Sequence, residues 1–241
     1  MKLNKVKFKR PLTIIIPLHN KEENIVETLQ SIFQYINAPE LQIIIIENGS
    51  TDNSKIRALE VIDANKVNQD ILFCESKIGL GNALIKGFSH SKHEWIYVTP
   101  ADFSFGNTDI EYVDANNLYE KYDLFIGSKS HNKTVIQRSF SRKIYSGIYN
   151  GLLKLFFSVP FKDTQGTLIF TKNILKKIPN LYNESFFITS ELVIKAHLES
   201  FKIIEIPVVD LNVETKSTVK PVTDGLKMLF NIIKLRVKTK S

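Results

Sequence analysis

The chain has 241 residues, a hydrophobic fraction of 43% and a net charge of +7, which fits one large α/β domain or two small ones with enough apolar material for a core. Its single cysteine, Cys74, excludes a disulfide within the chain and favours a reducing compartment. Cys74 lies in the apolar segment ILFCES, where we expect a small buried strand side chain rather than a nucleophile.

The positive charge is concentrated at the two ends. Residues 1–10 carry five basic and no acidic residues, and residues 216–241 carry seven basic residues and one acidic residue, so residues 11–215 sum to −4. A nucleic-acid-binding domain needs a basic face on its folded part, so we predict no nucleic-acid partner. Basic ends suit either an anionic membrane surface or solvated tails.

We expect neither a membrane span nor a secretory signal peptide. No segment approaches the roughly 18 consecutive apolar residues of a membrane span. The apolar run at 12–17 is too short for a signal peptide and lacks a small-residue cleavage site. We therefore predict a peripheral location on the cytoplasmic face of a membrane, with no signal peptide and no transmembrane helix.

Strand and helix patterns alternate from the start of the chain to residue 128, which predicts βαβ units and a parallel sheet. Asn20 is predicted as the N-cap of the first helix. Predicted strands lie at 12–17, 41–46, 71–75, 95–99 and 123–127, and predicted helices at 21–36, 52–65, 80–90 and about 109–120.

The pattern changes after residue 128. Residues 129–143 are predicted as a basic loop that leads into a helix. The apolar stretch 144–159 is expected either to pack in the core or to lie against lipid. A turn at 163–166, a strand at 167–171, a helix at about 186–199 and an extended segment at 203–213 follow. We predict one catalytic domain over 1–221.

Residues 222–241 are predicted as a basic amphipathic helix. Its apolar residues lie on one wide face, which suits a membrane interface or packing against the helix's own domain. They are Leu226, Leu229, Phe230, Ile233 and Val237, with Met228, Ile232 and Leu235 widening the face.

Three predicted strands end in polar turns, which read LHNKEEN, ENGSTDNS and PADFSF. The run IIII before the second turn is typical of a parallel strand buried on both faces. Because open α/β sheets bind ligands at the carboxyl ends of their strands, these turns predict a site for a charged, oxygen-rich ligand with a divalent metal.

These segments resemble family 2 glycosyltransferases, and most closely the dolichyl-phosphate mannose synthase branch. The resemblance implies a glycosyltransferase A-type fold, a Rossmann-like and mainly parallel sheet flanked by helices. The matching segments, in order, are PLHNKEENIVETLQSI, IIIENGSTDNS, SKIGLGNALIKGF, VTPADFSF, DLFIGSK, RSFSRK, DTQGT, ITSEL and IIEIPV.

The resemblance implies a nucleotide-sugar site and a metal. Asp102 with Ser104 is expected to hold Mg²⁺ or Mn²⁺, although Pro100 replaces the family's first aspartate and removes one ligand; alternatively, Asp102 caps the turn that follows it. The residues expected to bind the nucleotide sugar are Pro17, His19, Asn20, Glu22, Glu47, Gly79, Leu80, Ala101 and Asp102.

The resemblance also implies an acceptor site and a catalytic set. Lys129, Arg138, Arg142 and Lys216 are expected to face the acceptor phosphate, although a solvated basic loop is the alternative. The predicted catalytic residues are Asp102, Arg138, Asp163 and Glu191, of which Asp163 and Glu191 orient the sugar or the acceptor.

The implied reaction is transfer of a sugar, with inversion, to a polyprenyl or dolichyl phosphate. Mannose from GDP-mannose is favoured over UDP-sugars, and a small membrane subunit is an expected anchor. Because the acceptor phosphate is already anionic, positioning and charge stabilisation suffice without a strong base. Two alternatives stay open. One is a glycan or glycerolipid acceptor. The other is a catalytically silent binding subunit, which is favoured because Pro100, Glu47 and Asn48 stand where the family has aspartates.

Overall fold

The computed structural model describes residues 3–65, 70–132, 134, 140–178, 180–209 and 221–240. Among the predicted site residues, Arg138 and Lys216 lie outside the described residues. Arg142 lies in a helix whose side chains are described only from residue 147 onward.

Seven strands of the described chain form one sheet. Its strands are β2 (Leu12–Leu18), β4 (Leu41–Glu47), β5 (Asp70–Glu75), β6 (Trp95–Val98), β7 (Leu124–Ser128), β8 (Thr167–Thr171) and β9 (Ile203–Pro207). The strand order is β5-β4-β2-β6-β8-β7-β9. Only β8 of these seven runs antiparallel to its neighbours, β6 and β7. Two short strands, β1 (Val6–Lys7) and β3 (Ile36–Asn37), pair in parallel and form a separate two-stranded sheet.

Helices cover both faces of the large sheet. They are α1 (Ile25–Tyr35), α2 (Ser54–Asn65), α3 (Leu80–His90), α4 (Thr108–Ala115), α5 (Phe140–Phe157), α6 (Lys172–Lys177), α7 (Phe187–Leu198) and α8 (Pro221–Lys240). A 3₁₀ turn spans Leu118–Glu120. Helices α1, α2 and α4 pack on one face, and α3, α6 and α7 on the other. The α/β class and the mainly parallel sheet predicted from the sequence are confirmed.

The central strands are buried on both faces, as their β-branched runs predict. In β2, Ile14 and Ile16 pack into one core cluster while Ile15 packs into the other, and all three are fully buried. Alternate residues of a strand point to opposite faces, so a continuous apolar run stabilises both layers. Each buried isoleucine contributes about 1.5–3 kcal/mol relative to exposure.

The start of the first helix differs from the prediction. Asn24, not Asn20, is the N-cap residue, and α1 begins at Ile25. Asn20 adopts a left-handed φ of 49°, and its side-chain oxygen accepts a hydrogen bond from the Thr51 N–H at 2.8 Å. A tertiary contact therefore replaces the local cap, and Lys21 and Glu22 belong to the turn before the helix.

Other differences are smaller. The predicted helix at 109–120 ends at Ala115 because the chain turns there into the short 3₁₀ segment. Helix α6 and the strands β1 and β3 were not predicted, since each is too short to show a periodic pattern. Cys74 lies in β5 and is half-buried. Burial raises the pKa of its thiol, which disfavours the reactive thiolate.

Helix α8 divides its apolar residues between the protein and the solvent. Ile232 and Leu235 are buried against a cluster from α5 and α7 that includes Leu153. Phe230 and Val237, in contrast, are 66% and 64% exposed. No helix in the described part of the chain is long and apolar enough to cross a membrane.

A buried polar network joins the strands behind the sheet edge. The Tyr97 hydroxyl donates to one carboxylate oxygen of Asp109 at 2.9 Å, and the Thr167 hydroxyl donates to the other. All three residues are buried. Burial raises the pKa of Asp109, although these donors and the Ile110 N–H oppose the rise. The network links β6 and β8 to α4.

We predict that Asp109→Ala lowers the free energy of unfolding by about 3 kcal/mol, because it leaves two buried hydroxyls without their acceptor. Chemical denaturation followed by circular dichroism measures the loss. Glu60→Ala, at an exposed position of α2, is the matched control and should change stability by less than about 0.5 kcal/mol. Equal effects of the two substitutions would contradict a structural role for Asp109.

Candidate active site

The polar turns meet at one edge of the sheet. Because β2, β4, β6 and β7 are mutually aligned, their carboxyl ends lie at this edge, and the reversed strand β8 brings its amino end there. The segments at the edge are 19–24, 48–53, 99–107, 129–132 and 163–166. The edge therefore combines the three predicted acidic turns with Lys129 and Asp163.

The turns after β2 and β4 hold each other in place. The ring Nδ1 of His19 lies 3.0 Å from the Asn48 carbonyl oxygen. A carboxylate oxygen of Glu22 accepts from the Asn53 N–H at 2.8 Å. Together with the Asn20 contact to Thr51, these bonds make the two turns one unit. Three residues predicted to bind the nucleotide, His19, Asn20 and Glu22, thus hold the backbone of residues 48–53 in place. Pro17, also predicted to bind it, lies within β2 opposite Ile46.

Glu47 shapes the second turn. Its buried carboxylate accepts from the N–H groups of Gly49, at 3.0 Å, and Ser50. Burial acts to raise its pKa, but the bonds to Ser50 and Gly49 and the charge of Lys55 outweigh burial, and the pKa of Glu47 is lowered. Glu47 is thus an anion held by its own turn, and a contact from it to a nucleoside stays a prediction.

Asn48 connects this turn to the start of α3. Its side-chain oxygen accepts from the Gly79 N–H at 3.0 Å, and its amide nitrogen donates to the Ser76 hydroxyl at 2.8 Å. An amide supplies both a donor and an acceptor, which a carboxylate cannot do. The residue at this position therefore orders the loop that leads into α3.

The glycines at the start of α3 are required by the chain's own packing. A Cβ on Gly81 would lie 1.9 Å from the Asn183 carbonyl oxygen, and a Cβ on Gly79, where φ is 122°, would lie 2.3 Å from that of Glu184. The Gly81 N–H also donates to the Glu184 carbonyl at 3.0 Å. Residues 183–184 thus lie directly against Gly79 and Gly81, and nucleotide binding by Gly79 and Leu80 stays a prediction.

Glu191 fixes that covering segment. Its buried carboxylate accepts from the N–H groups of Tyr182, at 3.1 Å, and Asn183, at 2.9 Å. It also pairs with Lys195 Nζ at 2.7 Å. Glu191 therefore positions this segment through contacts to the chain itself, and its expected role of orienting the sugar or the acceptor stays a prediction.

Asp102 is held by a lysine. One carboxylate oxygen lies 2.7 Å from Lys21 Nζ, and the other accepts from the Ser104 N–H at 3.2 Å. Burial acts to raise its pKa, but the bond to Lys21, the Lys21 charge and the bonds to Ser104 outweigh it and lower the pKa of Asp102. Beside it, Ala101 is buried and its carbonyl accepts from the Thr28 hydroxyl at 2.9 Å.

Lys129 and Asp163 lie together farther along the edge. The Lys129 N–H donates to a carboxylate oxygen of Asp163 at 3.0 Å. The Lys129 ammonium lies 5.0 Å from the centroid of the ring of Phe105, the residue that follows Ser104 in the turn after β6. A residue missed in the sequence, Glu205, accepts from the Asp163 N–H at 2.9 Å. The structure thus brings Lys129 and Asp163 together with the turn after β6.

The profile of the family described as "Glycosyl transferase family 2" matches residues 13–176, well over half of the chain. The chain belongs to glycosyl transferase family 2. The matched range includes the turns after β2, β4 and β6, Lys129 and Asp163. The family predicted from the sequence motifs is therefore confirmed.

Two curated relatives extend the match. The yeast Saccharomyces cerevisiae "Dolichyl-phosphate beta-glucosyltransferase" is 27% identical over 94% of this chain and 74% of its own length. The Haloferax volcanii "Glycosyltransferase AglD" is 23% identical over 82% of this chain, which spans 32% of that protein.

Solved structures show the same fold. Mycobacterium tuberculosis glucosyl-3-phosphoglycerate synthase, in complex with Mn²⁺, UDP and glucosyl-3-phosphoglycerate, has a TM-score of 0.67 at 13% identity, over 95% of this chain and 79% of the other. Another structure of that enzyme holds Mg²⁺ and UDP. This family 2 glycosyltransferase therefore has the glycosyltransferase A-type fold.

The described residues of this family 2 glycosyltransferase do not fit the predicted metal site. No group of three or more His, Cys, Asp or Glu residues in the described chain is arranged to hold a metal. Asp102 is the single carboxylate of the predicted pair, and an ammonium already lies against it. A divalent cation bound at Asp102 would have to displace that ammonium and take most of its other ligands from substrate phosphates and water.

We predict that Glu191→Ala speeds amide exchange at Tyr182, Asn183 and Gly81 by about tenfold or more, because the covering segment loses its acceptor. Hydrogen exchange read by mass spectrometry of short peptides measures the effect. Glu199→Ala, exposed at the end of α7, is the matched control. Unchanged exchange combined with lost turnover would instead indicate direct contact between Glu191 and a substrate.

Proposed function

We propose that the chain transfers a hexose, with inversion, from a nucleoside diphosphate sugar to a polyprenyl phosphate at a membrane surface. The observation that carries this proposal is the sheet edge itself. There the turns after β2, β4 and β6 meet, with the Lys21–Asp102 pair beside Lys129 and Asp163, in a chain of a sugar-transferring family.

Relatives support the acceptor and the sugar. The yeast relative is named for a dolichyl-phosphate acceptor and a glucosyl group, and a solved structure of the same fold was obtained with UDP-glucose. We therefore propose UDP-glucose as the preferred donor. GDP-mannose, which the sequence motifs favour, stays the second candidate and is tested beside it.

The proposed chemistry needs no strong base. A phosphate oxygen of the acceptor forms the new bond to the anomeric carbon, and the bond from that carbon to the nucleoside diphosphate breaks. The bonding electrons leave with the diphosphate, and no proton moves. The residues contribute by positioning and by placing cations near developing negative charge. Lys21 and Lys129 are the cations that the described part of the edge provides.

We also propose that the surface formed by α5 and α8 lies on the membrane. The helices pack together through buried residues, yet α5 exposes Ile148 and Leu155, seven residues apart, and α8 exposes Phe230, Ile233 and Val237. Exposed lysines 234 and 238 lie on α8. A helix with apolar residues and lysines in solvent suits an anionic interface. The division into 1–221 and 222–241 is part of this proposal.

We expect purified protein to convert UDP-glucose and dolichyl phosphate in detergent micelles to a glucosylated phospholipid, at a higher kcat/KM than with GDP-mannose. Asp163→Ala should lower kcat/KM by about 100-fold, because it frees the backbone that carries Lys129. Mass spectrometry of the lipid product measures the transfer. Asp63→Ala, in α2 and away from the edge, is the control and should keep activity.

The same assay separates the alternatives. Glycan and diacylglycerol acceptors are offered in parallel, and turnover with either, but not with the lipid phosphate, would redirect the proposal to that acceptor. Tight nucleotide binding without turnover on any acceptor would support the silent binding subunit. A mannosylated product from GDP-mannose as the faster reaction would reverse the preference for glucose.

We expect Phe230→Glu to reduce binding to anionic vesicles by about tenfold, since it places a carboxylate on the apolar membrane-facing surface. Co-sedimentation with phosphatidylserine-containing liposomes measures the partition coefficient. Ile56→Glu is the matched control, because Ile56 is 58% exposed on α2. Equal binding of both variants and the unmodified chain would contradict the proposed surface.

A further inference from the structure

The Lys21–Asp102 pair bridges two neighbouring strands of the sheet. Asp102 lies in the turn after β6 and Lys21 in the turn after β2, and the strands are joined in parallel register as far as Ile15 and Val98. The Thr99 N–H donates to the Ile15 carbonyl at 3.1 Å, which continues the pairing into the turn. The two side chains thus meet where the sheet edge opens to ligands.

The backbone of Lys21 is fixed on both sides. Its N–H donates to the Ser54 hydroxyl at 2.6 Å, and its carbonyl accepts from the N–H groups of Asn24 and Ile25 at 3.0 and 2.9 Å. The lysine therefore starts the turn that leads into α1. Its side chain, 34% exposed, reaches Asp102, which is 14% exposed. The ammonium is held in place and still open to solvent.

The same edge lacks a second carboxylate in the turn after β6. Position 100 is proline, whose side chain ligates no cation. The turn after β6 therefore offers one carboxylate, Asp102, and the chain itself supplies the cation that lies against it.

We propose that Lys21 is the diphosphate-binding residue of this enzyme and takes the part of the divalent cation, so that the nucleoside diphosphate binds without metal. The inference rests on the function proposed above. An ammonium has three N–H donors. One stays on Asp102, which orients the group, and the other two are directed to oxygens of the diphosphate.

The role in the reaction follows from charge. When the bond between the anomeric carbon and the diphosphate breaks, the electron pair moves onto the departing oxygen. A fixed ammonium next to that oxygen stabilises the charge without a proton transfer. Lysine binds phosphate as a point charge, so it needs none of the octahedral ligand geometry that Mg²⁺ demands.

The test is calorimetric titration of the full chain with UDP and with GDP, each in EDTA and in Mn²⁺. We expect the Kd of the better nucleotide to agree within about threefold between the two conditions. Lys21→Ala should weaken its binding in EDTA by about 10- to 100-fold, as expected for loss of hydrogen bonds from a charged group. Lys21→Arg, which keeps the charge, should recover part of the affinity.

Controls separate lost charge from lost structure. The matching nucleoside, which has no phosphate, should bind Lys21→Ala and the unmodified chain equally. Lys92→Ala breaks an exposed lysine–aspartate pair elsewhere, with Asp70, and should leave UDP and GDP binding unchanged. Thermal unfolding checks that each variant is folded.

A double variant tests the exchange of cations directly. Lys21→Glu with Pro100→Asp removes the ammonium and offers carboxylates at positions 21, 100 and 102. We expect this variant to bind the nucleotide in Mn²⁺ and to lose it in EDTA. Nucleotide binding that persists in EDTA would contradict the proposed exchange.

The outcomes distinguish this inference from the proposed function. Binding by the unmodified chain in Mn²⁺ but not in EDTA would overturn the role of Lys21 and leave sugar transfer intact. Equal binding by Lys21→Ala and the unmodified chain in EDTA would overturn it as well. No binding of either nucleotide under any condition would overturn both proposals.

Discussion

The parallel alignment of β2, β4 and β6 is the constraint on which the site depends. Their side chains are buried on both faces, so a shift of one residue would exchange the residues of the two cores. With the register fixed from Leu12–Leu41 to Leu18–Glu47, the turns that follow are brought to one edge. The position of the polar residues is therefore set by apolar packing beneath them.

Several side chains that the sequence motifs predict to bind ligands hold the turns at this edge in place. Asn20, Asn48 and Glu191 bond to backbone N–H groups of neighbouring segments, and Glu47 bonds to those of its own turn. Such contacts fix the geometry before a ligand arrives, which reduces the ordering that binding must impose. A polar residue in a ligand-binding turn thus contributes to recognition through the loop that it shapes.

The sequence predicted what depends on local pattern. The isoleucine runs placed the buried strands, and the turn residues placed the ligand edge. It did not predict the reversal of β8, because apolar strands of either direction show the same composition. It also misplaced Asn20, whose partner Thr51 is 31 residues away. The partners of Glu191 likewise lie on a separate loop, so its positioning role required the folded chain.

The pairing of Lys21 with Asp102 balances charge at the edge where we propose that two phosphorylated substrates meet. Without its partner, Asp102, which is 14% exposed, would be a costly buried charge and would repel a diphosphate. Paired, they are neutral in the absence of ligand. In the proposed complex, an incoming diphosphate shares the ammonium rather than displacing it, because Asp102 accepts only one of the three N–H donors of Lys21. We expect such an arrangement to favour a diphosphate over a neutral ligand, since a charged acceptor gains more from the remaining donors than a neutral one does.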